Sequence, residues 1–280
     1  MAGSVGWEPA RLGRSGQAYA RAAAEGRGAL VAYLPVGYPD VDLSIEAMRR
    51  LVAAGVDVVE IGLPYSDPVM DGVAIQRAGT AALDRGVRTR DVFTAVEAVA
   101  AAGVPALVMT YWNLVERYGV DRFARSLDDA GGAGLITPDL TPDEGEEWLS
   151  ASDAHGLDRV FLVSPSSTDE RIVSTVAACR GWVYATAVMG VTGTRTAAPS
   201  QAPNLVARVR ALAPGLPVGV GLGVSTGDQA AAVCGYADGA IVGSAFVKTL
   251  LAADESGMPG DFAALGAVAD ALVAGVRRRP

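Results

Sequence analysis

Short apolar segments alternate with longer helical patterns along nearly the whole chain, and this alternation restricts the fold more than any other feature. The segments are almost continuous in Val, Ile, Leu and Ala, which is typical of parallel strands buried on both faces. Eight of them follow one another: Ala29–Val36, Asp57–Leu63, Val104–Thr110, Ala133–Pro138, Asp158–Ser164, Trp182–Val188, Pro217–Gly221 and Gly239–Gly243. Eight strand–helix units predict an α/β fold, a (β/α)8 TIM barrel.

The patterns between the strands predict amphipathic helices, several of which start with residues that cap helices. The clearest helical patterns are Val41–Ala54, Asp91–Ala102, Asp121–Ala130, Thr141–His155, Thr168–Cys179 and Pro203–Ala213. Asp40 and Thr168 are expected to act as N-caps, and Thr141 with Glu144 predicts a capping box.

Both ends of the chain carry helical patterns that fit a barrel. Trp7–Ala24 predicts an extra N-terminal helix that covers the barrel floor, and Asp261–Arg279 predicts a closing helix. No linker interrupts the pattern, so we expect a single domain over residues 1–280. An open doubly wound sheet is the alternative, but no GxGxxG motif follows the first strand.

Composition narrows the classes of function. Half of the residues are hydrophobic and 19% are charged, which indicates a folded soluble protein. The net charge of -8 argues against nucleic acid or an anionic membrane as a partner. Neither a membrane span nor a signal peptide is found, and the isolated Cys179 and Cys234 predict core residues in a reducing cytoplasm. With His155 as the one histidine, acid–base chemistry must fall to carboxylates or a tyrosine.

A carboxylate stands at the end of the second predicted strand, and another follows in a loop. Glu60 ends the apolar run, and a loop with two prolines and two glycines then presents Asp71. A charge next to a core is costly unless it is paired, so an acid at this position indicates chemistry. A paired structural glutamate is the alternative reading of Glu60. Active sites of such barrels lie at the carboxyl ends of the strands, where Glu60 stands.

Glycine and serine follow the last strands in a pattern that indicates a phosphate site. Gly193, Gly223 and Gly243 each stand near a predicted strand end, and Ser225 and Ser244 are expected to open helices. The free N–H groups of a helix N-terminus attract anions, and loops after the seventh and eighth strands often bind phosphate in this fold. Glycines that simply serve tight turns are the alternative.

Several segments together resemble one family. They are Glu60–Gln76, Met109–Asn113, Pro138–Leu140, Gly190–Gly193, Gly221–Gly223 and Gly243–Lys248. In order and spacing they resemble the tryptophan synthase α subunit family from about Leu30 to Lys248. Tyr33–Pro39 and Thr110–Asn113 look most like actinobacterial members.

The resemblance implies a lyase that cleaves indole-3-glycerol phosphate to indole and glyceraldehyde 3-phosphate. It implies that Glu60 is the general acid and base, that Asp71 holds the indole N–H and stabilises the positive intermediate, and that Tyr184 lines the pocket near Glu60. It implies no metal and no organic cofactor for this reaction.

The resemblance also implies the residues that bind substrate. Tyr33, Tyr111, Thr192 and Leu222 are expected to contact it, with Thr192 in a mobile loop. The residues expected to bind its phosphate are Gly193, Gly223, Gly243 and Ser244.

Some positions depart from the common pattern of the family. They are Tyr38, Val73, Leu114, Leu222 and the pair Ala187 and Val188. Val73 and Leu114 stand where proline is usual, and we expect them to loosen loops that dock a partner. Leu222 stands where an aromatic residue is usual, beside the indole. None of these changes removes a proposed catalytic group.

The leading interpretation is an α subunit in an α2β2 complex that passes indole to a PLP-containing β subunit. A stand-alone indole-3-glycerol-phosphate lyase of specialised metabolism is the alternative, motivated by Val73 and Leu114. A non-catalytic partner that only activates β is disfavoured by the retained Glu60 and Asp71. Another phosphate-binding barrel enzyme would not explain the Glu60–Gln76 segment.

Overall fold

The strands of the protein form one parallel sheet. The computed structural model describes residues 9–186, 201–221 and 223–278. In these ranges the strands are β1 Ala29–Pro35, β2 Val58–Gly62, β3 Ala106–Met109, β4 Gly134–Ile136, β5 Asp158–Val160, β6 Leu162–Val163, β7 Val183–Thr186, β8 Val218–Gly221 and β9 Gly239–Val242. Their order in the sheet is β5-β4-β3-β2-β1-β9-β8-β7-β6.

The two edge strands of this order are halves of one barrel strand. β5 pairs with β4, β6 pairs with β7, and only the buried Phe161 separates β5 from β6. The sheet therefore curves round to meet itself, and the eight-stranded barrel predicted from the sequence is confirmed. It is not an open doubly wound sheet.

Helices follow the strands as the alternating pattern predicts. They are α1 Gly13–Ala24, α2 Val41–Ala54, α3 Val73–Asp84, α4 Asp91–Ala101, α5 Trp112–Tyr118, α6 Val120–Asp129, α7 Glu146–Ala154, α8 Asp169–Ala178, α9 Ala202–Leu212, α10 Gly227–Cys234, α11 Ser244–Glu255 and α12 Ala263–Val276. Short 3-10 helices cover Pro9–Leu12 and Pro142–Glu144. None of the described helices is long and apolar enough to cross a membrane.

Two of the predicted helix caps are confirmed. The Asp40 carboxylate accepts a hydrogen bond from the Leu43 N–H at 2.7 Å, and Thr168 Oγ1 accepts one from the Arg171 N–H at 3.2 Å. These bonds satisfy backbone donors that have no partner inside the first turn of a helix.

Two other helix starts differ from the sequence prediction. Thr141 makes no capping box, because its hydroxyl bonds to the Glu144 carboxylate at 2.9 Å and a 3-10 turn precedes α7. Ser225 does not open α10. Thr226 is the N-cap there and shares a capping box with Gln229, because its hydroxyl reaches the N–H three residues ahead.

The described part of the extra N-terminal helix, from Pro9 to Ala24, covers the base of the barrel as expected, and the predicted start at Trp7 lies outside the described residues. The Ser15 N–H and hydroxyl donate to Asp158 Oδ2 at 2.7 and 2.6 Å. Ala18, Tyr19 and Ala22 of α1 pack into an inner core with inward-facing strand residues such as Val31. A second, larger core lies between the sheet and the surrounding helices. The organisation of residues 1–280 as a single domain stays a prediction.

The cysteines and the histidine lie where the sequence indicated. Cys179 and Cys234 are buried in the outer core and form no disulfide, and their prediction as core residues is confirmed. His155 follows the last residue of α7, with Nδ1 3.6 Å from an Asp128 carboxylate oxygen and far from Glu60 in the fold.

Candidate active site

A cavity of about 380 Å³ opens at the carboxyl ends of the strands. Seven of the residues predicted for catalysis or substrate binding line it: Tyr33, Glu60, Asp71, Tyr184, Gly223, Gly243 and Ser244. These residues come from five different strands or the loops that follow them. The position of the cavity agrees with the general rule for active sites in this fold.

Glu60 is the buried acid of the cavity. It lies on β2 opposite Tyr33 of β1, and its side chain is 1% exposed. Its Oε2 atom has no hydrogen-bond partner among the described residues. Burial raises the pKa of Glu60 to about 8, and the nearby charge of Asp71 adds to this effect. The carboxyl group therefore holds a proton at neutral pH and has one to donate.

Asp71 lies across the cavity on the loop between β2 and α3. Its backbone carbonyl accepts a hydrogen bond from Gln76 Nε2 at 2.8 Å, which ties the loop to the first turn of α3. Burial raises the pKa of Asp71, while a hydrogen bond from Tyr111 lowers it. Asp71 thus faces the same cavity as Glu60 but stands in a more polar environment.

Two tyrosines complete the acidic end, and each occupies space that a glycine leaves free. A Cβ atom on Gly62 would lie 2.2 Å from Tyr33 Oη, and one on Gly221 would lie 2.3 Å from Tyr184 Oη. Burial raises the pKa of both phenols well above the usual value. Tyr33 and Tyr184 are therefore neutral hydroxyl groups at physiological pH.

The other end of the cavity presents backbone rather than side chains. Gly223 has φ of +74°, which favours glycine, and a Cβ atom built there would meet nothing within 4 Å. Gly243 is the N-cap of α11 and Ser244 is its first residue, so free N–H groups of that helix start at the cavity wall. The arrangement suits an anion.

Four residues predicted to bind substrate are not found among the described lining residues of the cavity. Thr192, Gly193 and Leu222 lie outside the residues that the structure describes. Tyr111 is not among the described residues that line the cavity. It lies behind Asp71, with its ring stacked on Tyr65 at a centroid distance of 4.9 Å.

The cavity also has apolar walls that the sequence analysis did not assign to the site. Ile75, Leu162 and Ile241 line it. The sequence could have predicted Ile241 as a lining residue, because it is two residues from both Gly239 and Gly243 and therefore faces the same side of β9. Leu162 pairs in register with Tyr184, which becomes visible only when the strands are paired.

Three exposed apolar side chains lie on the Asp71 loop at the cavity and at the start of the helix that follows it. Val69, Met70 and Val73 are 77%, 50% and 59% exposed. Val69 and Met70 belong to the Asp71 loop, and Val73 is the first residue of α3. We expect Val69 and Met70 to be poorly ordered without ligand and to close over bound substrate, which stays a prediction. The Gly190–Pro199 segment, which we expect to act with them, lies outside the described ranges.

The amino-acid sequence is similar to those of proteins from one family. Residues 19–269 match the family model of the tryptophan synthase alpha chain. The tryptophan synthase alpha chain of Acidothermus cellulolyticus is 60% identical over 265 residues, which cover 95% of this chain and 97% of that one. That of Salinispora arenicola is 61% identical over 262 residues, covering 94% and 97%.

Solved structures agree with the sequence matches. A chain of Mycobacterium tuberculosis tryptophan synthase, 55% identical, superposes with a TM-score of 0.87 and covers 95% of this chain and 99% of its own length. The tryptophan synthase alpha subunit of Legionella pneumophila, 30% identical, gives a TM-score of 0.83 with 95% and 98% covered. On sequence and on fold, the chain belongs to the tryptophan synthase alpha chain family.

Proposed function

We propose that the cavity carries out retro-aldol cleavage of indole-3-glycerol phosphate with Glu60, Asp71 and Tyr184 as its catalytic residues. As a tryptophan synthase alpha chain, the protein is a carbon–carbon lyase that releases indole and glyceraldehyde 3-phosphate. The observation that carries the residue assignment is that the buried Glu60, whose pKa burial raises to about 8, shares one cavity with Asp71 and with the backbone of Gly223 and Gly243.

The proposed first step is transfer of the Glu60 proton to C3 of the indole ring. The ring nitrogen then carries a positive charge, and the Asp71 carboxylate accepts its N–H and stabilises that charge. The acid must be protonated before the reaction starts, which agrees with the raised pKa of Glu60.

The proposed second step breaks the carbon–carbon bond. The Glu60 carboxylate takes the proton of the glycerol hydroxyl next to the ring. The carbon that bears this hydroxyl is bonded to indole C3, and it becomes the aldehyde carbon. The electron pair of the broken bond returns to the ring and neutralises its nitrogen. Glu60 ends protonated, so the cycle needs no external acid or base.

The remaining residues position the substrate in this proposal. Tyr33 and Tyr184 hold the indole and the reacting hydroxyl near Glu60. The phosphate binds to N–H groups at Gly223, Gly243 and Ser244, so that remote binding energy orients the reacting end. Thr192, Gly193, Leu222 and Tyr111 keep the roles expected from the sequence as part of the proposal.

The partner of the chain is a tryptophan synthase beta subunit, as its family implies. We further propose that the two form an α2β2 complex in the cytoplasm and that β carries PLP. The exposed apolar patch Val69, Met70 and Val73 at the cavity mouth supports contact with a partner there. No observation favours the stand-alone lyase.

Steady-state release of indole, measured on the chain alone and with a β subunit, tests the assignment of Glu60. Glu60→Gln keeps the shape but cannot transfer a proton, so turnover should fall by about 10²–10⁴-fold. Asp158→Asn is a matched control, because Asp158 is equally buried but lies at the barrel base. A Glu60→Gln variant that keeps more than about a tenth of the turnover would contradict the assignment.

A further inference from the structure

Three aromatic rings form a column inside the barrel that ends at the cavity. Tyr19 of α1 packs on Trp182 with a centroid distance of 5.3 Å, and Trp182 stacks on Tyr184 with a distance of 5.7 Å and an angle of 29° between the rings. Trp182 and Tyr184 are two residues apart along β7 and its start, so both point to the barrel interior. The column runs from the barrel floor to the cavity wall.

Glycines on the neighbouring strand β8 leave the space that the column fills. A Cβ atom on Gly219 would lie 2.7 Å from Trp182 Cζ3 and 2.3 Å from Tyr19 Oη. Gly221 gives Tyr184 the same room one layer higher. Interiors packed this closely let a ring shift only if its neighbour changes. The height of each ring is therefore set by the one below it.

Trp182 contributes to this column through its ring and not through a hydrogen bond. It is fully buried, and its Nε1 has no hydrogen-bond partner among the residues that the structure describes. The indole ring of Trp182 supports the ring of Tyr184 by stacking against it.

We infer that Trp182 is a positioning residue for the lyase reaction, which holds the Tyr184 ring at the height where its hydroxyl faces the reacting end of the substrate. The inference rests on the proposed role of Tyr184. A smaller side chain at 182 leaves a gap into which Tyr184 sinks. The wall beside Glu60 then opens to water.

Opening that wall changes the environment of Glu60. Within the described ranges, the titratable groups that act on Glu60 are Asp71 on its loop and the phenols of Tyr19, Tyr33 and Tyr184. Three of these four are neutral, so burial is the main reason why the pKa of Glu60 is high. Water beside Glu60 lowers its pKa toward the ordinary value.

The experiment compares Trp182→Phe with Trp148→Phe. Trp148 on α7 is a matched control, because it is fully buried, its Nε1 has no partner among the described residues, and it packs in the outer core away from the cavity. Thermal melting, kcat, KM and the pH dependence of kcat/KM are measured for each variant with indole-3-glycerol phosphate, in the presence of the β subunit.

Both variants should melt at a lower temperature, but only Trp182→Phe should change the chemistry. We expect its kcat to fall by about 10- to 100-fold, since a misplacement of about 1 Å is enough for such a loss. KM should stay within about threefold, because the phosphate end is untouched. The alkaline limb of kcat/KM should move to lower pH. Equal kcat, KM and pH profiles in the two variants would overturn the inference.

Two further variants keep the result decisive. Tyr184→Leu separates the inference from the proposed function. If Tyr184→Leu lowers kcat and Trp182→Phe does not, only the inference is refuted. If Tyr184→Leu keeps full activity, both the role of Tyr184 and the inference are refuted. If Trp182→Phe fails to fold, Tyr19→Leu removes the lower support from α1. Tyr19→Leu should then lower kcat, as expected for Trp182→Phe, and an unchanged kcat would overturn the inference.

Discussion

The phenol of Tyr111 donates a long hydrogen bond of 3.4 Å to Asp71 Oδ1. The Tyr111 hydroxyl oxygen also accepts a hydrogen bond of 3.0 Å from the Met70 N–H. One hydroxyl at the end of β3 therefore holds both the side chain of Asp71 and the backbone that carries it. The sequence predicts Tyr111 as a substrate contact, and its hydrogen bonds give it a second role as a support of the Asp71 loop.

Tyr111→Phe should loosen this loop without removing the ring that stacks on Tyr65. Loss of two hydrogen bonds of about 1 kcal/mol each should speed amide exchange at Met70 and lower kcat several-fold. Exchange measured by mass spectrometry, together with indole release, checks this. Tyr118→Phe serves as the control, because that ring packs against Phe93 and Phe123 away from the cavity. Unchanged exchange at Met70 would contradict the supporting role.

The pH profile of kcat/KM should report the proton on Glu60. Because Glu60 must start protonated, kcat/KM should fall above its pKa of about 8 as the proton is lost, and should be constant below that pKa down to the pH at which the Asp71 carboxylate takes up a proton. Asp71→Asn removes the charge that helps to raise this pKa, so the residual activity should fall from a lower pH. Activity that instead rises through pH 8 would show that Glu60 starts as a base.

Glu60 should also make the stability of the protein depend on pH. Between about pH 4.5 and 8 the folded state keeps a proton that the unfolded state has released, so the free energy of unfolding falls as pH rises. Glu60→Gln escapes this loss, and its advantage over the natural chain should grow to at most about 4 kcal/mol at pH 8. Denaturant unfolding at pH 5 and pH 8 measures the difference.

Asp158 provides a comparison for that measurement. Burial raises the pKa of Asp158 to about 6, so the advantage of Asp158→Asn should stop growing near pH 6. An equal advantage of Glu60→Gln at pH 5 and pH 8 would contradict the high pKa of Glu60.

Gly223→Asp should weaken binding of the phosphate group. A carboxylate there would stand beside the anion, and binding of glycerol 3-phosphate should weaken by at least about tenfold. Gly223→Ala is the control, since a Cβ atom has space at this position and adds only the backbone strain of a positive φ, about 1 kcal/mol. Titration calorimetry separates the two effects. Equal affinity of both variants would exclude Gly223 from the phosphate site.

Two glycines of α12 should respond to alanine in opposite directions. A Cβ atom at Gly266 meets nothing within 4 Å, so Gly266→Ala should stabilise the protein by about 0.5–1 kcal/mol through helix propensity. A Cβ atom at Gly275 would lie 2.3 Å from the Gly227 carbonyl oxygen of α10, so Gly275→Ala should destabilise it by about 1–3 kcal/mol. Thermal and urea unfolding of both variants decide whether α10 and α12 pack this closely.

The features of this fold that repeat along the chain could be predicted from the sequence. Apolar runs and cap residues are local, so the eight barrel strands and the caps Asp40 and Thr168 were visible. Glu60 was visible too, because an acid at the end of an apolar run stands out. The break at Phe161 was not visible, because an apolar run does not show where its hydrogen bonds change partner.

Relationships between distant residues could not be predicted. The column from Tyr19 to Trp182 joins two parts of the sequence that share no pattern, and the side chains meet only after the barrel closes. Tyr111 stands at a strand end, and the sequence did not show that its hydroxyl bonds to Asp71, 40 residues earlier in the chain. Thr141 matched a capping box in sequence, but its hydroxyl had a nearer acceptor in Glu144.

The docking of α1 on the barrel floor has a consequence for the order in which the chain folds. Ser15 bonds to Asp158, 143 residues further along, and the Gly181 N–H donates to the Arg11 carbonyl. A ribosome that adds 5–20 residues per second needs about 10–30 s to make the strands that receive α1. Helix α1 is therefore synthesised early but docks on the barrel late. Until it docks, the apolar face that contains Tyr19 stays exposed to solvent on the nascent chain.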